Sequence, residues 1–203
     1  MILNRSRPVC HRLAVPAYAL LLAACGSSTN SGAPADSGAP AGSGTPLDMN
    51  GFGEKYKLAD NEVSGWTQST GSDPFLLFTT KTLTDKIDGA ATPYTDQGMQ
   101  FAMYQNLDGP SGQTCDLTAM HFRTETQAKA MLAARQTLMS ASITIPTYDA
   151  SVASASTSLG GIGVLAAFKD LYLEIALDGY GSDVDSASQV AVKFLQAMQA
   201  KTN

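Results

Sequence analysis

QTCDLTAMHFRTETQAKAMLAARQTLM, running from Gln113 to Met139, joins a strand pattern directly to a helix pattern. Through Arg123, the residues Cys115, Leu117, Ala119 and His121 alternate with Asp116, Thr118, Met120 and Phe122, which is the period of a strand. Apolar groups fall on both faces, so an interior strand is expected. Thr124-Glu125-Thr126-Gln127 then forms a capping box, and Ala128, Met131, Leu132, Arg135, Leu138 and Met139 recur at three- and four-residue steps. A helix over about 125–141 follows.

Residues 98–107 have strand character, and Asp108-Gly109-Pro110-Ser111-Gly112 supplies the turn into 113–123. Residues 163–168 and 171–177 flank Lys169-Asp170 as a hairpin with a two-residue turn that lacks the usual glycine. Val190, Ala191, Phe194, Leu195 and Met198 then form one stripe of a helix over 185–201, with Asp183, Asp185 and Ser186 available as caps. Strand, strand, helix thus occurs twice, over about 98–141 and 163–201, without sequence identity between the copies. The pattern predicts an α+β fold, an antiparallel sheet with helices on one face. Lys81 to Asp88 reads as a further short helix, ended by Gly89, with Leu83 and Ile87 one turn apart.

The N-terminal quarter is of another kind. Arg5, Arg7 and Arg12 precede an apolar run from Leu13 to Ala24, interrupted by Pro16 and too short to span about 30 Å of hydrocarbon. Small residues lead directly into cysteine at Leu22-Ala23-Ala24-Cys25, which resembles the lipobox of bacterial lipoproteins. The resemblance implies a signal peptide over 1–24, cleavage before Cys25, a diacylglyceryl thioether on its sulfur and acylation of the new amino group. Several acyl chains make such an anchor stable. Gly26 in place of aspartate favours the outer membrane over the inner by the same resemblance. Residues 25–49 carry hexads such as Ser31-Gly32-Ala33-Pro34-Ala35-Asp36, too poor in large apolar side chains to bury a core, so they read as a disordered stalk. Residues 50–203 are then a single domain.

Beyond residue 25 the chain has 10 basic against 18 acidic side chains, with the basic ones scattered. Such a surface disfavours nucleic-acid phosphates and leaves a membrane contact through the lipid, plus an envelope protein or small ligand as partner. Gly65-Trp66, Leu83, Ile87-Asp88-Gly89-Ala90-Ala91, Tyr94, Gly98 and Tyr104 resemble a pattern in a group of uncharacterised bacterial extracytoplasmic proteins. That resemblance implies location and a fold boundary, and it carries no activity.

Residue types suited to chemistry are few. His121 and Cys115 suggest a hydrolase or thiol enzyme, since a base near a thiol or hydroxyl activates it. On one strand, however, six residues at about 3.3 Å each set their backbones roughly 20 Å apart, so a half-buried thiol and a strand histidine satisfied by a neighbour are the simpler readings. With Cys25 lipidated and Cys10 lost with the signal, Cys115 has no intrachain disulfide partner. Asp178, Asp183 and Asp185 could ligate calcium, but Ala187 and the absence of a glutamate at the twelfth loop position break the EF-hand pattern, and helix capping explains the aspartates. Gly160, Gly161 and Gly163 lack the Gly-Lys-Ser/Thr of a phosphate loop. Trp66 and Tyr94 suit either a ligand pocket or the core. No cofactor and no metal is expected, and the best reading is a non-catalytic binding or interaction module.

Overall fold

The computed structural model describes residues 47–87, 91–140 and 142–203. The signal, the lipobox with Cys25 and most of the stalk lie outside the described residues, as does the expected helix stop at Gly89. In chain order the elements are α1 (Met49–Tyr56), β1 (Thr67–Gln68), β2 (Phe75–Thr79), α2 (Thr80–Ile87), α3 (Thr92–Asp96), β3 (Met99–Asp108), β4 (Thr114–Phe122), α4 (Glu125–Gln136), β5 (Ser142–Ile143), β6 (Ala153–Ser158), β7 (Gly161–Phe168), β8 (Leu171–Asp178) and α5 (Val184–Ala200). The strands form one antiparallel sheet in the order β1-β3-β4-β8-β7-β6-β5, and β2 pairs with β3 along the same edge as β1.

Both strand-strand-helix units form where the periodicities put them, as β3-β4-α4 and β7-β8-α5. The architecture is the expected α+β one, an antiparallel sheet with helices packed against it. The helices nevertheless divide between its two faces instead of sharing one. Leu117 and Ala119 of β4 with Leu173 and Ile175 of β8 share a core with Phe52 of α1 and with Ala191, Phe194, Leu195 and Met198 of α5. Met120 and Phe122 of β4 with Tyr172 of β8 belong to a second core, with Leu83 of α2, Tyr94 of α3 and Ala128, Met131 and Leu132 of α4. The two-sided pattern of β4 requires this arrangement, because helices on one face alone would leave Met120 and Phe122 in water. It also rules out a simple duplication. A two-fold axis normal to the sheet between β4 and β8 keeps each element on its own face, so it cannot superpose α4 on α5, which lie on opposite faces.

Local chemistry sets the boundaries. Thr124 Oγ1 accepts the N–H of Gln127 and starts α4. The helix ends at Gln136, short of the expected 141, where Thr137 Oγ1 donates to the Ala134 carbonyl and the N–H groups of Leu138 and Met139 bond three residues back. Leu138, expected on the apolar stripe, is 53% exposed, because the chain here turns toward β5. The β7–β8 turn is the two-residue Lys169-Asp170, and Lys169 takes the positive φ of 53° that glycine would adopt freely. Helix α1 gave no apolar periodicity. It is capped by Asp48, whose Oδ1 accepts the Gly51 N–H at 2.7 Å, and Leu47 already packs on the core. Its Gly53 lets α1 sit directly on β2, since a Cβ there would stand 2.8 Å from Leu77. Gln105, fully buried, replaces a missing strand by bonding both ways to the Leu58 backbone, at 2.9 and 2.8 Å.

Candidate functional site

Where β4 ends beside the β7–β8 turn, a cleft of about 510 Å³ opens between α1 and the start of α4, with His121, Asp170, Tyr56, Lys55, Arg123 and Lys169 among its walls. Sheet register builds it. His121 is opposite Leu171 in the β4–β8 pairing, and the Phe122 N–H donates to the Asp170 carbonyl, so the turn is fixed against the strand end. His121 Nε2 then lies 3.1 Å from Asp170 Oδ2. The hydrogen bond from His121 is the main reason the Asp170 carboxyl is held below its ordinary range, with burial opposing it and the charges of His121 and Lys55 adding to it. The imidazole stacks on Phe101, 6.1 Å between centroids at 15°, and leans on Phe52. The Tyr56 phenol is pushed up to about 12, first by burial and then by the nearby Asp170 charge.

This geometry limits what His121 can do. A general base must present a ring nitrogen to the substrate. Nε2 is engaged by Asp170, and Nδ1 is buried without a hydrogen-bond partner among the described residues. The side chain is only 12% exposed. Cys115, the other candidate, is six residues up β4 on the same face, opposite Leu107 and Leu177 and wholly buried. Burial chiefly, with the charges of Asp116 and Asp178 behind it, pushes its thiol well above the usual range, so it carries little thiolate. The structure does not bring His121 and Cys115 together.

The other candidates separate similarly. Asp183 caps α5, its Oδ1 accepting the Ser186 N–H at 3.0 Å, and Asp185 lies in the first helical turn. Asp178 ends β8, where burial and the charge of Asp116 raise its pKa. Among the described residues no group of three His, Cys, Asp or Glu is placed to hold a metal. Gly160 sits in the β6–β7 turn at φ +93°, and Gly161 opens β7, where a Cβ would strike the Leu177 carbonyl oxygen, so a strand follows these glycines and no phosphate cradle forms. Trp66 is core, edge-on to Phe194 with centroids 5.0 Å apart.

Tyr94 is buried too, but its hydroxyl leads to a polar cluster that sequence reasoning missed. Glu174 Oε1 accepts from Tyr94 and Tyr172 hydroxyls, both at 2.8 Å, and from Arg135 Nε at 3.2 Å. The available signal was Glu174 itself, a charge inside the apolar run Leu171 to Leu177, which requires partners when half-buried. Asp170 was missed as the partner of His121 because strand order, which brings the turn beside β4, is not local information.

No known protein family matches the chain, and no curated protein is similar to it. Among solved structures, the extracellular domain of PknH from Mycobacterium tuberculosis is similar at 11% identity, over 66% of this chain and 82% of that one, with a TM-score of 0.39. A likeness this distant assigns neither role nor partner. Among the described residues no helix is long and apolar enough to cross a membrane.

Proposed function

We propose that the chain is an extracytoplasmic binding module, held to the cell envelope by lipid on Cys25 and working by recognition of an envelope protein or a small ligand rather than by catalysis. The observation that carries this reading is the state of its two most reactive side chains. Cys115 is wholly buried with its thiol pushed up, and His121 has one nitrogen on Asp170 and the other sealed in the protein. The lipobox-like Leu22-Ala23-Ala24-Cys25 and the stalk after it support the anchor, and Gly26 supports delivery to the outer membrane.

Two experiments test the two halves. Reaction of the purified protein with probes for activated serine and cysteine nucleophiles is expected to leave it unlabelled, and stoichiometric labelling of one residue would overturn the binding-module reading. Separately, Cys25→Ser is expected to move the protein from the membrane to the soluble fraction, because acyl chains carry the affinity. Retention of that variant on membranes would sink the lipid anchor while leaving the first result standing.

A further inference from the structure

The two lateral edges of the sheet are treated differently. One is closed by β5, only two residues long. The other presents β2, Phe75-Leu76-Leu77-Phe78-Thr79, which carries no charge and leaves Phe75, Leu76 and Leu77 partly exposed. Edge strands are ordinarily blunted by shortness, lysine, proline or a bulge, because their unpaired backbone recruits other strands.

The hydrogen bonds show what is left free. The Asn106 N–H donates to the Pro74 carbonyl, and bonded pairs alternate along an antiparallel ladder. In the β2–β3 register, therefore, Leu76 with Tyr104 and Phe78 with Ala102 are the bonded pairs, and the N–H and C=O groups of Phe75, Leu77 and Thr79 point outward. The Thr79 N–H is taken by Thr82 Oγ1 at 2.9 Å. Among the described residues nothing bonds the outward groups of Phe75 and Leu77. Beside them a groove of about 360 Å³ runs between α1 and β2, with Gly53 and Leu77 in its wall and Glu54 and Lys57 along it. Neither charge has an ion-pair partner among the described residues, and Lys57 Nζ rests 4.9 Å above the Phe75 ring.

We propose that β2 is the interface of a homodimer, in which a second copy adds its own β2 antiparallel about a two-fold axis through Leu76. The free positions are self-complementary about that residue. Phe75 of each copy faces Leu77 of the other and exchanges both backbone hydrogen bonds with it, and Leu76 faces Leu76 as a non-bonded pair. Pro74 and the capped Thr79 mark the two ends of the match. Because the axis is normal to the sheet, the two α1 helices come side by side and antiparallel, setting Glu54 of each copy toward Lys57 of the other and closing the groove over Phe75 and Leu77. Opposite charges at these places favour a second copy over a partner of arbitrary sequence.

Cysteine cross-linking of the full chain in detergent under a mild oxidant tests the pairing. Non-bonded antiparallel pairs hold their Cα atoms about 4.5 Å apart, within disulfide reach, so Leu76→Cys is expected to give disulfide-linked homodimer in about tenfold greater yield than Leu159→Cys. Leu159, fully exposed at the β6–β7 turn, reports random collision and shares every native cysteine with the test variant. An equimolar mixture of Phe75→Cys and Leu77→Cys is expected to cross-link more than either variant alone. Yields no better than the Leu159→Cys control in both experiments would overturn the dimer, and success at Leu76 without the mixed-pair signal would overturn its register. Cross-linking of Leu76→Cys in cells to a different chain, with homodimer at the control level, would show that the edge takes another extended peptide and refute the second copy.

Discussion

Phe194→Ala is the sharpest test of how the sheet is held on its α5 face. Phe194 is fully buried, lies edge-on to Trp66 with centroids 5.0 Å apart, and belongs to the core that also holds Leu173 and Ile175. Truncating a buried phenylalanine to alanine costs about 3–5 kcal/mol, since the rigid sheet beneath cannot collapse into the void. Total stabilities are typically about 5–15 kcal/mol, so the loss is a large share of the whole. At roughly 2–4 °C per kcal/mol for a domain of this size, Tm should fall by about 6–20 °C. Thermal and urea melts followed by circular dichroism would measure it, and combining the change with Trp66→Ala should reveal a coupling of about 0.5–1.5 kcal/mol for the aromatic pair. A loss under about 1 kcal/mol, no more than an average substitution produces, would show α5 to be peripheral to the core.

The native protein should resist thiol reagents at Cys115 and react only after unfolding, and Cys115→Ala should lower stability by about 1–2 kcal/mol without abolishing folding; rapid native labelling would contradict the burial. The depressed Asp170 carboxyl stabilises the fold above its unfolded pKa near 3.8, and that contribution disappears as pH falls through the lower folded value. Acid unfolding curves of Asp170→Asn should therefore lack part of the wild-type loss below about pH 4, and identical slopes would deny the His121–Asp170 bond its role. Glu174→Ala strands the hydroxyl of fully buried Tyr172 and leaves Arg135 unpaired. A loss of about 2–4 kcal/mol in urea melts is expected, and a neutral result would mean that water satisfies the cluster.

What the sequence disclosed was whatever repeats at short range. The alternation from Cys115 to Phe122, the stripe from Ala191 to Met198 and the capping box at Thr124 each act within one element, and each element formed there. Strand β6, Ala-Ser-Ala-Ser-Thr-Ser, alternates only small side chains, too weak an apolar signal to recognise, and α1 contains two glycines, of which Gly53 is required by its packing on Leu77. The sidedness of the helices was present in principle in Met120 and Phe122, whose face also has to be covered. The candidate site was legible only by half. His121 stood out by its residue type, whereas Asp170 reaches it through a pairing of strands remote in sequence, and no local pattern encodes which strands become neighbours.

That central pairing has a consequence for the order of assembly. The β3–β4 and β7–β8 hairpins each close over a few residues, which costs little chain entropy, whereas α4 reaches past the hairpin it follows to pack chiefly on β7 and β8. The seam between β4 and β8 is different, because Thr114 must find Asp178 and His121 must find Leu171 before either core is complete. Two locally formed halves must thus dock along a single line of backbone hydrogen bonds, each with an apolar face still wet until it does. Non-local pairing of this kind slows folding, so the closing of the β4–β8 seam, more than the formation of any helix, is expected to set how long these apolar faces stay in water.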